Sequence, residues 1–414
     1  MIATLQLLAI LSLGYLGTHY LAERVRARFQ IVTGVEFVVL GVLVGPHVTD
    51  VMTPEVLLQL GPVTSLAIGA LGLALGLEFR FDSIRGQNRE AGELSGFGVT
   101  ATLLLVGIPA LLLARWFAPD NDLQASLAAA TALGTISAVS APGAIRAVRE
   151  ALDGPARLGR ILESSAHFDQ VLATGLFGLV FCAFHVGTTS GIRPLTATEW
   201  AAVSLGIGVV LGILFFLFLG RERDPQRLLL ALMGIILFSS GSAYYLNLSP
   251  LFVNLVLGLM LGSISRHRKA LRDVMRSIER PLTVVVLVLA GASWNMPSLA
   301  APAVLALIVV CLVGRPMGKA LGGALTFRYG EAVADQTPTM GLGSLAHGAL
   351  AVAMAVNFNQ VYSGPAADGL FSAVLISVLV WEVMAPAQIR RALIDSEPSL
   401  APRAAAGSKA ASTS

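Results

Sequence analysis

Charge is scarce in this chain. Of its 414 residues only 13% are Asp, Glu, Lys or Arg, 55% are hydrophobic, and mean hydropathy is +0.76. Soluble domains carry roughly a quarter of their residues as charges, so a surface wetted on all sides is excluded. Cysteine is scarcer still. Cys182 and Cys311 both lie in apolar stretches, which excludes a disulfide framework and a thiolate metal site and leaves them as packing residues. No stripe of Lys or Arg interleaved with aromatics points to nucleic acid. No HExxH, phosphate-binding loop or nucleophile-and-base spacing points to an enzyme.

What the chain does have is apolar runs of roughly twenty residues, each long enough to cross about 30 Å of hydrocarbon. The runs fall at 2–21, 31–46, 56–79, 95–117, 124–149, 158–186, 199–220, 227–247, 250–265, 281–296, 301–326, 337–358 and 367–390. An all-α polytopic protein of about thirteen transmembrane helices is expected. The basic residues support that count, because 24 of 28 then fall on one side, at 24–28, 80–89, 146–160, 221–227, 266–280, 328 and from 390 on. Only Arg115 and Arg193 lie opposite, and Arg315 and Lys319 are inside a span. Basic residues stay cytoplasmic, so the N-terminus is expected outside a cell membrane and the C-terminus inside. The first span has no basic n-region or small-residue cleavage site and reads as a retained helix. The membrane domain is expected over 1–391, followed by a disordered cytoplasmic tail over 392–414 rich in Ala and Ser.

Three stretches recur in order. Val35 to His47 (VEFVVLGVLVGPH) matches Leu251 to Ser263 (LFVNLVLGLMLGS), placing Gly41 and Gly45 on Gly258 and Gly262. SLAIGALGLALGLEF then matches PLTVVVLVLAGASWN, and GTISAVSAPGAIRAV matches MGLGSLAHGALAVAM. Because the second copy begins after an odd number of helices, the copies cross the membrane in opposite senses, as in transporters with inverted repeats. Repeat one is expected over about 1–190, a linker helix over about 199–220 and repeat two over about 227–391. The third pair carries interruptions: Pro142 and Gly143 after Ser137 to Ala141 in the fifth span, and Gly341, Gly343 and Gly348 around Ser344 and His347 in the twelfth. Broken, crossing helices offer carbonyls and opposed helix ends to an ion at mid-membrane.

Ionisable groups at that depth are costly and therefore candidates for function. Asp169 lies eleven residues into the sixth span, roughly 16 Å deep. A lone buried carboxylate holds a proton or a metal cation but not both, and competition with alternating access is sufficient for antiport. Ser140 and Ser344, at the breaks, are the expected hydroxyl partners in ion and proton binding. Arg315, followed by Pro316, and Lys319 one turn on are supporting charges that could pair with Asp169 or with Glu163; for Lys319, snorkelling to the inner interface is the other reading. His167 and His347 are candidate proton sensors. Glu36, Glu78 and Glu382 are expected to be structural.

These residues resemble the monovalent cation/proton antiporter superfamily, particularly its sodium/hydrogen exchanger-like and Kef-like branches. The resemblance rests on VLGVLVGPHV, on LGLALGLEFR, on Ser140-Ala141-Pro142 where members have Thr-Asp-Pro, and on GPARLGRILESSAHFDQVL. It implies that Asp169 is the ion-binding aspartate, Glu163 the preceding acid, and Arg315 or Lys319 the basic partner. It also implies a homodimer moving Na+ or K+ against H+ with no further cofactor. Phe168 stands where members carry a polar residue, and Ala141 replaces an acid. With a single carboxylate, one-for-one electroneutral exchange is the expectation. An organic-anion symporter that uses Arg315 to hold substrate, and a gated channel or transport-inactive sensor, stay open on the sequence alone.

Overall fold

A computed structural model describes residues 34–79, 89–119, 122–152, 157–187, 193–219, 224–264, 268–330 and 337–396. The first predicted span, parts of several basic loops and the tail beyond 396 lie outside the described residues. Within them the chain is helical without a strand: α1 (Val35–Val44), α2 (Pro54–Gln59), α3 (Gly61–Glu78), α4 (Arg89–Phe117), α5 (Leu123–Ala138), α6 (Pro142–Glu150), α7 (Arg157–Ala183), α8 (Ala197–Leu219), α9 (Pro225–Tyr245), α10 (Pro250–Ile264), α11 (Arg268–Ala292), α12 (Pro302–Tyr329), α13 (Ala349–Val361) and α14 (Pro365–Ser396). Two 3-10 turns, Met296–Ala300 and Met340–Ser344, complete the order. Among the described residues, eight helical segments are long and apolar enough to span a membrane, and α10 and α13 are shorter apolar helices. The protein is thus an all-α polytopic membrane protein.

Apolar faces give little drive for association in lipid, so helices approach closely where small residues remove the Cβ. Gly76 of α3 faces Gly258 of α10, where a Cβ built on Gly258 would lie 2.8 Å from Gly76 Cα. Gly41 of α1 faces Gly291 of α11 in the same manner, 2.9 Å in the corresponding measure. Gly314 lies against Leu105 O, Gly318 against Thr102 and Gly322 against Gly98, which brings α12 onto α4 and turns Arg315 and Lys319 to the interior. The stem of Lys319 then lies over Gly98. Arg268 reaches across to the carbonyls of Leu77, Glu78 and Phe79 and closes the C-terminal end of α3. Both cysteines are free and buried.

Both expected interruptions are present, with two corrections to their chemistry. The fifth span stops at Ala138 and restarts at Pro142, with Val139 and Ala141 extended between. Proline drives the residue before it out of the helical region and then serves as a first helical residue, so the break precedes Pro142. Gly143 is not part of it: it is exposed in the first turn of α6 with nothing within 4 Å of a built Cβ. The twelfth span becomes the 3-10 turn, an extended link and α13, and the residue with positive φ is Gly348 (φ 75°, ψ 173°). Gly341 and Gly343 serve close packing, against the backbone of Lys319 and Gly323 and against Leu162 respectively. Pro316, expected to disturb its helix, is absorbed within a continuous α12.

Candidate functional site

The two extended links cross. Ala141 N donates to Ala346 O at 2.9 Å, and the Ser140 hydroxyl lies 3.0 Å from Ser344 O. Four helix ends therefore meet inside the protein, each with backbone groups its own helix cannot satisfy. At the C-terminal ends the unsatisfied groups are carbonyls, and cations answer them. The guanidinium of Arg315 donates to Ser137 O, to Ser344 O at 3.2 Å, to Leu345 O at 3.1 Å and to Ala346 O at 3.1 Å. One turn on, Lys319 Nζ donates to Ala138 O at 2.8 Å. At the N-terminal end of α13 the unsatisfied group is an amide, and an anion answers it: Glu382 Oε1 accepts from Gly348 N. The signs match the partial charges of helix ends.

Asp169 of α7 faces this crossing and is 1% exposed. Its Oδ2 accepts from Lys319 Nζ at 2.6 Å and from Ser140 Oγ at 2.6 Å. Its Oδ1 is buried without a partner, as is Ser344 Oγ. Ser140, Ser344, Lys319, Arg315 and Asp169 thus come together as the sequence suggested, and the ambiguity over which base pairs with Asp169 resolves in favour of Lys319. Arg315 is fully buried but spends its donors on carbonyls, so its expected pairing with Asp169 or Glu163 is not found. Glu163 is corrected outright: its carboxylate binds Arg146 at 2.5 Å and Arg149 at 2.8 Å, because α6 folds back and brings its basic face to that point of α7.

The two histidines part company. His347 is 1% exposed, with Nε2 3.1 Å from Ser377 Oγ and Nδ1 unpartnered. The His167 side chain is 30% exposed, with Nδ1 4.0 Å from Glu78, whose other oxygen lies 3.5 Å from Arg276. Between His167 and Asp169, the Phe168 ring meets Phe79 edge-on at 5.3 Å, an apolar contact where a polar residue was expected by resemblance. Sequence reasoning missed Glu382 as a member of the cluster. It is 2% exposed, and its signal was a lone acid within an apolar run.

The sequence finds no match among curated proteins. Among solved structures, the fold resembles the sodium proton antiporter MjNhaP1 from Methanocaldococcus jannaschii at pH 8, with a TM-score of 0.69 and 16% identity over 97% of this chain and 99% of that one. An electron-microscopy map of the same antiporter gives a TM-score of 0.62 and 15% identity over 96% and 99%. At such identities the likeness shows the fold. The model of the family described as sodium/hydrogen exchanger, transmembrane, matches residues 8–388. The chain therefore belongs to the sodium/hydrogen exchanger transmembrane family.

Proposed function

We propose that the chain exchanges a monovalent cation, sodium or else potassium, for protons by alternating access at Asp169. The observation that carries this reading is the Asp169 carboxylate itself: Oδ2 holds Lys319 and Ser140, while Oδ1 and the nearby break residue's Ser344 Oγ are buried and unpartnered. Such oxygens are ligands in waiting for a hard cation.

The charges set the stoichiometry. Asp169 and Lys319 together are neutral, and a buried site resists a net charge. A cation reaching Asp169 therefore expels a proton from Lys319, which a lysine can release and an arginine cannot. The proton-loaded pair, carboxylate with ammonium, and the cation-loaded pair, carboxylate and cation with neutral amine, carry the same charge. One cation crosses for one proton. Ser140 has one hydroxyl hydrogen and two acceptors in reach, so when an ion takes Asp169 that hydrogen turns to Ser344 O. Arg315 anchors the crossing by donating to backbone carbonyls at both breaks, which disfavours the symporter reading.

We also read the chain as two inverted repeats. The crosswise packing supports this: α1 meets α11 through Gly41 and Gly291, and α3 meets α10 through Gly76 and Gly258. Assembly as a homodimer in a cell membrane, N-terminus outside, follows from the resemblance and the basic-residue distribution. The test of function is a proteoliposome with a preset pH gradient. Added Na+ or K+ is expected to dissipate it, and Asp169→Asn to abolish the effect; a gradient untouched by both cations, or normal exchange by the variant, refutes the assignment.

A further inference from the structure

We propose that Ser249, Asn357, Ser65 and Gln360 line the closed route by which Asp169 reaches the membrane face away from Arg157 and Arg268, a polar seam that parts and fills with water when the site turns to that face. The seam lies along α13. This helix starts at the crossing with Ala349 and ends beside the carboxyl end of α7, where the Tyr362 hydroxyl donates to Phe184 O at 3.1 Å. Asn357, nine residues past Gly348, is thus roughly 14 Å from the crossing. Its Oδ1 accepts from Ser249 Oγ at 2.6 Å, and Ser249 Oγ in turn accepts from Phe252 N at 3.3 Å in the first turn of α10. Further along α13, Gln360 is tied to the amino end of α3: Oε1 accepts from Ser65 Oγ at 3.2 Å and Nε2 donates to Gly61 O at 3.2 Å.

α13 meets its neighbours in two different ways. Toward α7 the contact is aromatic: Phe181 lies 5.3 Å from Tyr362 and 6.3 Å from Phe358, edge-on to both, and Phe358 stacks on Tyr362 at 4.3 Å. Toward α3 and α10, which are held to each other at Gly76 and Gly258, the contact is hydrogen bonded. α7 itself meets α10 smoothly, with Phe252 lying against Gly178, where no side chain interlocks. Ser65, Ser249 and Asn357 are 1%, 2% and 1% exposed, and Asn357 Nδ2 is buried without a partner. An apolar seam resists water. Buried hydroxyls and amides separate at small cost, because water replaces each lost partner, and the orphaned Nδ2 gains one. The seam is therefore wettable, as the route of a hydrated cation must be.

The transport consequence rests on the antiport reading, but opening of the seam can be measured apart from it. Ser65→Cys puts a thiol in the seam with little change of shape. Its labelling by a membrane-impermeant maleimide in proteoliposomes reports opening, and the protein with Cys182 and Cys311 alone gives the background. Ser249→Ala and Asn357→Leu both remove the hydrogen bond between Ser249 and Asn357, yet opposite effects are expected. The first leaves the whole Asn357 amide unsatisfied in the closed seam and should speed labelling of Ser65→Cys several-fold. The second makes the seam apolar and should slow it several-fold. Asn357→Leu should also lower kcat for Na+ exchange several-fold with KM nearly kept. Should Asn357→Leu not fold, Gln360→Met is read in its place, with the same slowing expected. Labelling shifted in the same direction by both variants, or by neither, overturns the proposal and leaves the bond a structural tie; an unchanged kcat overturns the seam as the transport route. If the wild type exchanges no cation, the antiport reading is what fails, and the labelling pattern still decides whether the seam opens.

Discussion

Asp169 could have paired with either base of α12, and the choice of Lys319 decides the chemistry. A guanidinium in that place would neutralise the carboxylate permanently. Lys319→Arg is therefore expected to fold and to lose exchange, whereas Lys319→Ala leaves a buried carboxylate unpaired and should cost about 3–5 kcal/mol of stability. Melting and proteoliposome flux, measured side by side, separate the two. Glu163 belongs to a partly exposed pair with Arg146 and Arg149, so Glu163→Gln should change stability by less than about 1 kcal/mol and leave flux near wild type. The burial of Asp169 was legible because a charge in an apolar run has few explanations. The partner was not, because Arg315 and Lys319 are one turn apart on one face, and only the position of the carbonyls at the crossing tells them apart. Glu382 was hidden by a boundary. The span expected to end at 390 continues to Ser396, so Glu382 is well inside α14.

At the scale of the element, the breaks were legible from Pro142 and from the glycines around Ser344, but not which glycine does what. A proline announces its own constraint, whereas a glycine marks either a backbone conformation or a close approach, and only neighbours distinguish them. Gly348 shows the first: its φ of 75° with ψ of 173° belongs to a region open essentially to glycine, and a built Cβ lies 3.0 Å from Ala141 Cβ. Gly348→Ala should cost about 1–3 kcal/mol, read as a lower melting temperature with weaker exchange. Gly143→Ala, on an exposed helical turn with open space, should be neutral or stabilising by up to about 1 kcal/mol. Equal losses at the two positions would contradict the assignment of the break.

At the scale of the whole molecule, glycine contacts set which helices can lie together. A Cβ at Gly258 would press on Leu73 O and on Gly76 Cα, so Gly258→Ala is expected to reduce the yield of folded protein despite alanine's better helix propensity. Gly96→Ala meets nothing within 4 Å and should be tolerated. The all-helical membrane architecture was legible because apolar runs and basic loops answer to the bilayer. The crossing was not, because it joins residues about 200 positions apart. Its polar contacts put Asp169, Lys319 and Ser140 in one small space, where a cation and a proton are proposed to compete. The direct measurement is proton release from the purified protein in weak buffer as Na+, or K+, is added. One proton released per cation bound, lost in Asp169→Asn, is the predicted result; cation binding without proton release, or undiminished release from the variant, would contradict it.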